Sequence, residues 1–166
     1  MTSIPLISIE TLASTHDRRT FSCGVEALDE YLRRFARQHA DARVSRTCVA
    51  VEGCTVRGFY SLAMSAIRKE NLPARHLNRF PSFPLPVARL ARLAVDMRHQ
   101  RQGLGELLLA DALQRCLRLS VEIGTIGVIV DAKDDHARGW YERYEFERLP
   151  DSPSTLWLPT TAIARL

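Results

Sequence analysis

Lysine is nearly missing from this chain: Lys69 and Lys133 are the only two among 23 basic residues in 166, and the other 21 are arginines. Long apolar runs are missing too. None approaches the roughly 20 residues that span a bilayer, which excludes a membrane helix. The opening Met1–Glu10 carries no basic segment, which argues against a signal peptide. Cysteine is scarce and unpatterned: Cys23, Cys48, Cys54 and Cys116 form no C-x-x-C pair and no His-flanked set. No metal site is therefore expected, and reduced, mostly buried thiols in a cytoplasm are the default. Repeats, linkers and low-complexity tracts are absent as well. With 46% hydrophobic and 25% charged residues, residues 1–166 read as one globular domain, long enough for a real core.

The charge that is present is segregated. Net charge is +4, but residues 68–101 hold eight basic and two acidic residues, a balance of +6, while residues 131–151 hold four basic and seven acidic, a balance of −3. Arginine binds phosphate bidentately and stacks on bases, so RNA is a reasonable partner. A solvated basic face explains the same count equally well.

The basic stretch leads into Arg89-Leu-Ala-Arg92-Leu-Ala-Val-Asp96, then Gln100-Arg-Gln-Gly103-Leu-Gly105 and a Leu-rich run. This order reads as strand, glycine loop, helix. Glycines at a helix entry let backbone N–H groups approach an anion, and the helix dipole favours negative charge there. A diphosphate is the natural guest. A dinucleotide turn wants a third Gly or Ala, where this chain has Leu108; a P-loop wants Gly-Lys-Ser/Thr, where it has Gly105-Glu106-Leu107. Both are excluded.

Periodicity outlines the rest. Phe21 to Val44 is expected to be a helix, with Ser22 as N-cap and Val25, Leu28, Leu32, Phe35 and His39 on one face. Arg46–Glu52 and Val56–Ile67 form a hairpin around Gly53. Pro73 starts a short helix through Leu77, and Val87–Val95 is a central strand. Leu104 to about Ile123 is a long helix with Leu107, Leu108, Leu113, Cys116 and Leu117 inward, stopped by Gly124. Ile126–Val130 is an apolar strand, Asp134 or Asp135 caps a helix through Arg143, and Leu156–Leu158 is a last strand. The fold class is α/β: a mixed central sheet with helices on both faces.

The Q-x-x-G-x-G loop after an apolar strand resembles the pyrophosphate loop of the GNAT acetyltransferases. A second stretch supports the likeness: Ala137, Trp140 and Tyr141 match the small residue and aromatic–Tyr pair that GNAT proteins carry on the helix after the next strand, and Phe146 matches the start of the strand beyond. One departure stands out: the family usually has Gly before that Phe, and here it is Glu145. The opening Phe21-Ser-Cys-Gly24-Val-Glu-Ala-Leu28-Asp-Glu-Tyr-Leu32 looks like that of GNAT toxins from bacterial toxin–antitoxin pairs, as do Arg46-Thr47, Val56–Leu62 and Arg92–Asp96. The resemblance runs from about Thr20 to Phe146. It implies the GNAT fold with splayed central strands, acetyl-CoA as co-substrate, and transfer of acetyl to the α-amino group of aminoacyl-tRNA, which stops translation. It further implies neutralisation by a ribbon–helix–helix antitoxin, and it leaves room for a homodimer.

On that footing the site residues can be named. The backbone of Leu93, Ala94 and Val95 is expected to pair with the pantetheine arm, and the segment Arg101, Gln102, Gly103, Leu104, Gly105 and Glu106 to hold the diphosphate. No cysteine lies on either motif, so direct attack by the amine is expected. An α-amino group titrates near pH 8 and lysine near 10.4, so a strong base is dispensable, whereas the leaving thiolate needs a proton. Tyr141 is the candidate general acid. Asp131, Asp134 and Glu52 are alternatives, more simply read as caps or surface. RNA-binding candidates are Arg33, Arg34, Arg37, Arg46, Arg79, Arg89 and Arg92, with Arg43 and Arg75 further members of the same basic set. None of the five histidines has a pairing that assigns it a role. Two other readings stay open: an acetyltransferase of a small amine or a protein N-terminus, and a non-catalytic CoA- or RNA-binding regulator. The arginine excess argues against polyamines, which prefer acidic walls.

Overall fold

Seven strands form one mixed sheet in the order β1-β2-β3-β4-β5-β7-β6. They run β1 Ile7–Thr11, β2 Arg46–Glu52, β3 Thr55–Ile67, β4 Leu85–Val95, β5 Gly127–Asp131, β6 Glu147–Leu149 and β7 Ser152–Pro159. This is a computed structural model, and it describes residues 6–166. Residues 1–5, the first half of the Met1–Glu10 stretch on which the expectation about a signal peptide rests, lie outside the described residues. The helices are α1 Glu26–Glu30, α2 Ala36–Asp41, α3 Leu104–Glu122, α4 Asp135–Glu142 and α5 Thr160–Ile163, with a π-helical turn over Tyr31–Phe35.

The chain divides into two compact units, each built from separate stretches. The first comprises residues 1–63 and 91–112. Here β1 pairs antiparallel with β2, and β2 with β3, around the left-handed Gly53 (φ +64°). Tyr31, Leu32 and Ala36 pack on Val49, Val51, Val56, Phe59 and Ala94 to form its core. Gly58 is required by close approach. A Cβ there would meet Leu108 Cδ1 at 2.8 Å and the Ala94 carbonyl oxygen at 3.1 Å.

The second unit comprises residues 64–90 and 113–166. Its core gathers Ile67, Leu72, Leu85, Val87, Ile129, Leu149 and the fully buried Trp157. Strand β5 pairs antiparallel with β7, and β7 with β6. The parallel pairing of β4 with β5 covers only Ala88–Val128, Arg89–Ile129 and Leu90–Val130. Strand β4 runs on to Val95, and among the described residues this extension has no registered partner on β5.

Three expectations need correction. The first helix starts at Glu26, not Phe21, and Ser22 is not its cap. Instead the Asp29 carboxylate accepts the Cys23 N–H at 2.9 Å and Asp96 accepts the Ser22 N–H at 3.1 Å, so residues 21–25 are tied down as a loop. The π turn inserts one residue into the helical repeat, so Phe35 turns partly outward and Ala36 takes the buried place. In α3, Leu107 is exposed. The buried set is Leu104, Leu108, Leu109, Ala112, Leu113 and Cys116, a stripe centred roughly 150° from Leu107 at about 100° per residue. Leu117 is only half-buried.

Candidate active site

The nine residues expected to hold acetyl-CoA all fall in the first unit. Ala94 is buried, and its carbonyl faces Gly58 of β3. Because a strand directs successive backbone groups to alternate sides, Leu93 and Val95 turn theirs the other way. The Val95 carbonyl accepts the Gln100 side-chain amide at 3.0 Å, and Gln100 also reaches the Cys23 carbonyl at 3.3 Å. Gln100 thus folds the chain back onto the end of β4.

Asp96 fixes the exit from that strand. Its carboxylate is almost fully buried and accepts the Arg98 backbone N–H, the Arg98 guanidinium and the Ser22 N–H. Burial alone raises a carboxyl pKa, but these donors outweigh it and hold Asp96 at about 2. Arg101, Gln102 and Gly103 then run exposed into α3, with Arg101 (φ +62°) and Gly103 (φ +85°) both left-handed. A Cβ on Gly103 would meet nothing within 4 Å, so this glycine serves the turn and not tight packing. Leu104 anchors the helix in the core, and the first intrahelical donor is Leu107 N–H, to the Gly103 carbonyl at 3.1 Å. The N–H groups ahead of it point out of a 19-residue helix, an arrangement that suits a diphosphate.

Tyr141 lies in the second unit, on α4. The Asp134 carboxylate caps this helix by accepting the Ala137 N–H at 2.8 Å. The Tyr141 ring is held edge-on by Trp140 and Phe146, with centroids 5.0 and 5.4 Å away. Burial pushes its phenol pKa up, so the hydroxyl keeps its proton. The turn after α4 places Glu145 at φ +71°, a side-chain-bearing residue in the left-handed conformation that favours glycine.

The arginine candidates divide. Arg33 donates to the Phe21 carbonyl at 2.8 Å, Arg34 pairs with Glu30 at 2.8 Å, and Arg89 pairs with Asp131. Arg79 contacts His76 and lies over Phe80. Arg92 is half-buried, its guanidinium 3.6 Å from the Tyr31 ring centroid. Arg37 and Arg46 are exposed, and among the described residues neither meets a carboxylate. Of the further basic residues, Arg75 pairs with Glu147, and Arg43 (φ +60°) closes the helix. The sequence did not single out Asp96 and Gln100 as anchors, although both stand in its quoted motifs. Among the described residues no cluster suits a metal, and no helix is long and apolar enough to cross a membrane.

The model of the acetyltransferase (GNAT) domain matches residues 82–158. A tRNA-acetylating toxin of Mycobacterium tuberculosis (strain ATCC 25618 / H37Rv) is 37% identical over 147 residues, covering 89% of this chain and 88% of that protein. The chain belongs to the GNAT acetyltransferase family. The protein named probable toxin TacT of Sinorhizobium fredii (strain NBRC 101917 / NGR234) is 31% identical over 91% of this chain and 89% of its own length. Among solved structures, AtaT complexed with acetyl-methionyl-tRNAfMet superposes with a TM-score of 0.91 at 27% identity, covering 96% of this chain and 98% of that one. AtaT has also been solved bound to the C-terminus of its antitoxin AtaR. The mixed sheet is thus that of an acetyltransferase.

Proposed function

We propose that this GNAT acetyltransferase transfers acetyl from acetyl-CoA to the α-amino group of aminoacyl-tRNA, and so acts as a translation-blocking toxin. What carries the reading is the likeness, across most of the chain, to a protein named for tRNA acetylation, joined to the open anion cradle at the start of α3. Acetyl-CoA supplies an acyl group already activated as a thioester, so the protein's part is to bind, orient and move one proton. The N–H groups at the start of α3 hold the diphosphate, with Arg101 adding charge. The outward backbone of Leu93 and Val95 orients the arm and its carbonyl, and position contributes most of the rate. The neutral amine forms the new C–N bond as the C–S bond breaks, the amine gives up a proton to water, and Tyr141 donates its phenolic proton to the departing sulfur.

Exposed arginines, Arg37 and Arg46 first, hold tRNA phosphates. The partner antitoxin is a ribbon–helix–helix protein, and the enzyme works in the cytoplasm, where charged tRNA is found. The test is purified protein with acetyl-CoA and total charged tRNA, followed by mass spectrometry of the hydrolysed aminoacyl ends. N-acetyl-aminoacyl products are expected. Consumption of acetyl-CoA only with small amines or peptides would overturn the tRNA reading.

A further inference from the structure

Strand β3 meets α3 through Gly58 and Tyr60, because side-chain positions two apart on a strand share a face. Gly58 takes the apolar contact. Leu104 and Leu108 lie so near that a Cβ there would meet both side chains. Tyr60 takes a polar one. It is fully buried, and its hydroxyl donates to the Asp111 carboxylate of α3 at 2.5 Å. Burial and then this bond push the phenol pKa up, so the proton stays on Tyr60. The Cys48 thiol of β2, also fully buried, stands beside the phenol. A buried phenol needs an acceptor, and a thiol is a weak one, so Asp111 fills that need. Asp111 itself is only half-buried. No step of the proposed transfer uses either residue.

We propose that the Tyr60–Asp111 hydrogen bond fixes the position of α3 along its own axis, and so holds the N–H groups at the start of α3 in place for the diphosphate of acetyl-CoA. The proposal rests on the reading of that helix start as the diphosphate cradle. Leu104, Leu108, Leu109 and Ala112 bury one side of α3. Apolar contact is non-directional, so it sets how near α3 lies more firmly than where it stands along its axis. A hydrogen bond is directional and tolerates only a few tenths of an ångström. Asp111 lies six residues after Gly105, about 9 Å along the helix. A continuous helix is stiff over so short a span, so an axial shift at Asp111 arrives whole at the cradle. N–H donors reach phosphate oxygens at about 2.7–3.2 Å, and a slide of one residue, about 1.5 Å, would break every such bond. Tyr60 and Asp111 are therefore positioning residues that act on the ligand through α3.

Two ligands separate this role from plain stability. Acetyl-CoA carries the diphosphate, and S-acetylpantetheine carries the same arm without it. In calorimetry the wild type is expected to bind acetyl-CoA at least about tenfold more tightly. Tyr60→Phe keeps the ring and removes the donor. It is expected to weaken acetyl-CoA by about five- to tenfold and to change S-acetylpantetheine by less than about twofold. Asp111→Ala, altered on the half-buried side of the bond, is expected to do the same. Asp111→Asn keeps an oxygen to accept the phenol proton and is expected to stay within about twofold of the wild type on both ligands. Both affinities unchanged in Tyr60→Phe and Asp111→Ala, both weakened alike, or Asp111→Asn as weak as Asp111→Ala, would overturn the positioning role. Equal wild-type affinity for the two ligands would overturn the cradle reading and this inference with it.

Discussion

Tyr141 is proposed to give its proton to the leaving sulfur, and its burial suits that task. A phenol in water loses its proton near pH 10. Enclosed by Trp140 and Phe146, Tyr141 has a raised pKa and stays protonated beyond that point. Tyr141→Phe keeps the ring packing and removes the proton. It is expected to lower turnover by at least about tenfold, a floor set below the roughly 10²–10⁴-fold typical of general acids, with acetyl-CoA affinity by calorimetry nearly unchanged. Unaltered turnover would end the acid role. Asp96 makes a second residue-scale case. Its carboxyl has a pKa of about 2 in the fold against about 4 in an unfolded chain. The depressed value means the stabilisation is complete above about pH 4 and is lost as pH falls towards 2, by about 2 kcal/mol. Asp96→Asn is expected to lower stability at neutral pH and to flatten that acid limb in urea unfolding from pH 5 to 2. A limb as steep as in the wild type would show that Asp96 does not carry it.

Single positions also decide whether whole elements fit. Strand β3 reaches α3 and β4 only because Gly58 lacks a side chain. The Ala94 carbonyl, 3.1 Å from a Cβ placed there, is backbone and cannot step aside. Gly58→Ala is therefore expected to cost about 2 kcal/mol by overpacking, roughly a 4–8 °C loss in Tm for a chain of this size. An unchanged Tm in calorimetry would refute the contact. The turn after α4 predicts the opposite sign. Glu145 holds φ +71°, where a Cβ is strained, so Glu145→Gly is expected to add about 1 kcal/mol, measurable as a Tm rise of about 2–4 °C. These elements mark what the sequence made legible. The Gln100–Gly105 loop and the Ala137–Tyr141 helix were readable because each is local, with its chemistry carried by spacing within a few residues. The π turn was not, because nothing in Tyr31–Phe35 marks a one-residue insertion, and it displaced Phe35 from the expected face. Strand β1 was missed because five residues give too little alternation, and β6, three residues long, was legible only through the match of Phe146 to the start of a family strand. A cavity of about 330 Å³ in the second unit had no local signal at all: most of its lining, including Ile67, Arg89, Ile129, Leu149 and Thr155, comes from five strands gathered only by the sheet order.

At the scale of the whole molecule the question is what the arginine excess does. The sequence alone left RNA grip and plain solvation equal, and the structure narrows the choice by showing how individual guanidinium groups are engaged. Arg33, Arg34 and Arg89 already meet a carbonyl or carboxylates, and Arg92 lies over Tyr31. Arg37 and Arg46 remain exposed without a carboxylate partner. A molecule that used its full +4 charge or all seven candidates would show a very steep salt dependence. One that uses two or three contacts would show a shallow one, since each phosphate contact adds about 0.7–0.9 to the slope of log K against log salt. We therefore expect a slope of about −1.4 to −2.7 for charged tRNA, a weakening of roughly 7–40-fold between 50 and 200 mM salt. Arg37→Gln and Arg46→Gln are each expected to make that slope shallower by about 1, while leaving acetyl-CoA affinity unchanged. Filter binding or anisotropy across a salt series reads both quantities. A wild-type slope near zero would remove tRNA phosphate as the charged partner. A slope that neither substitution alters would move the contact away from Arg37 and Arg46.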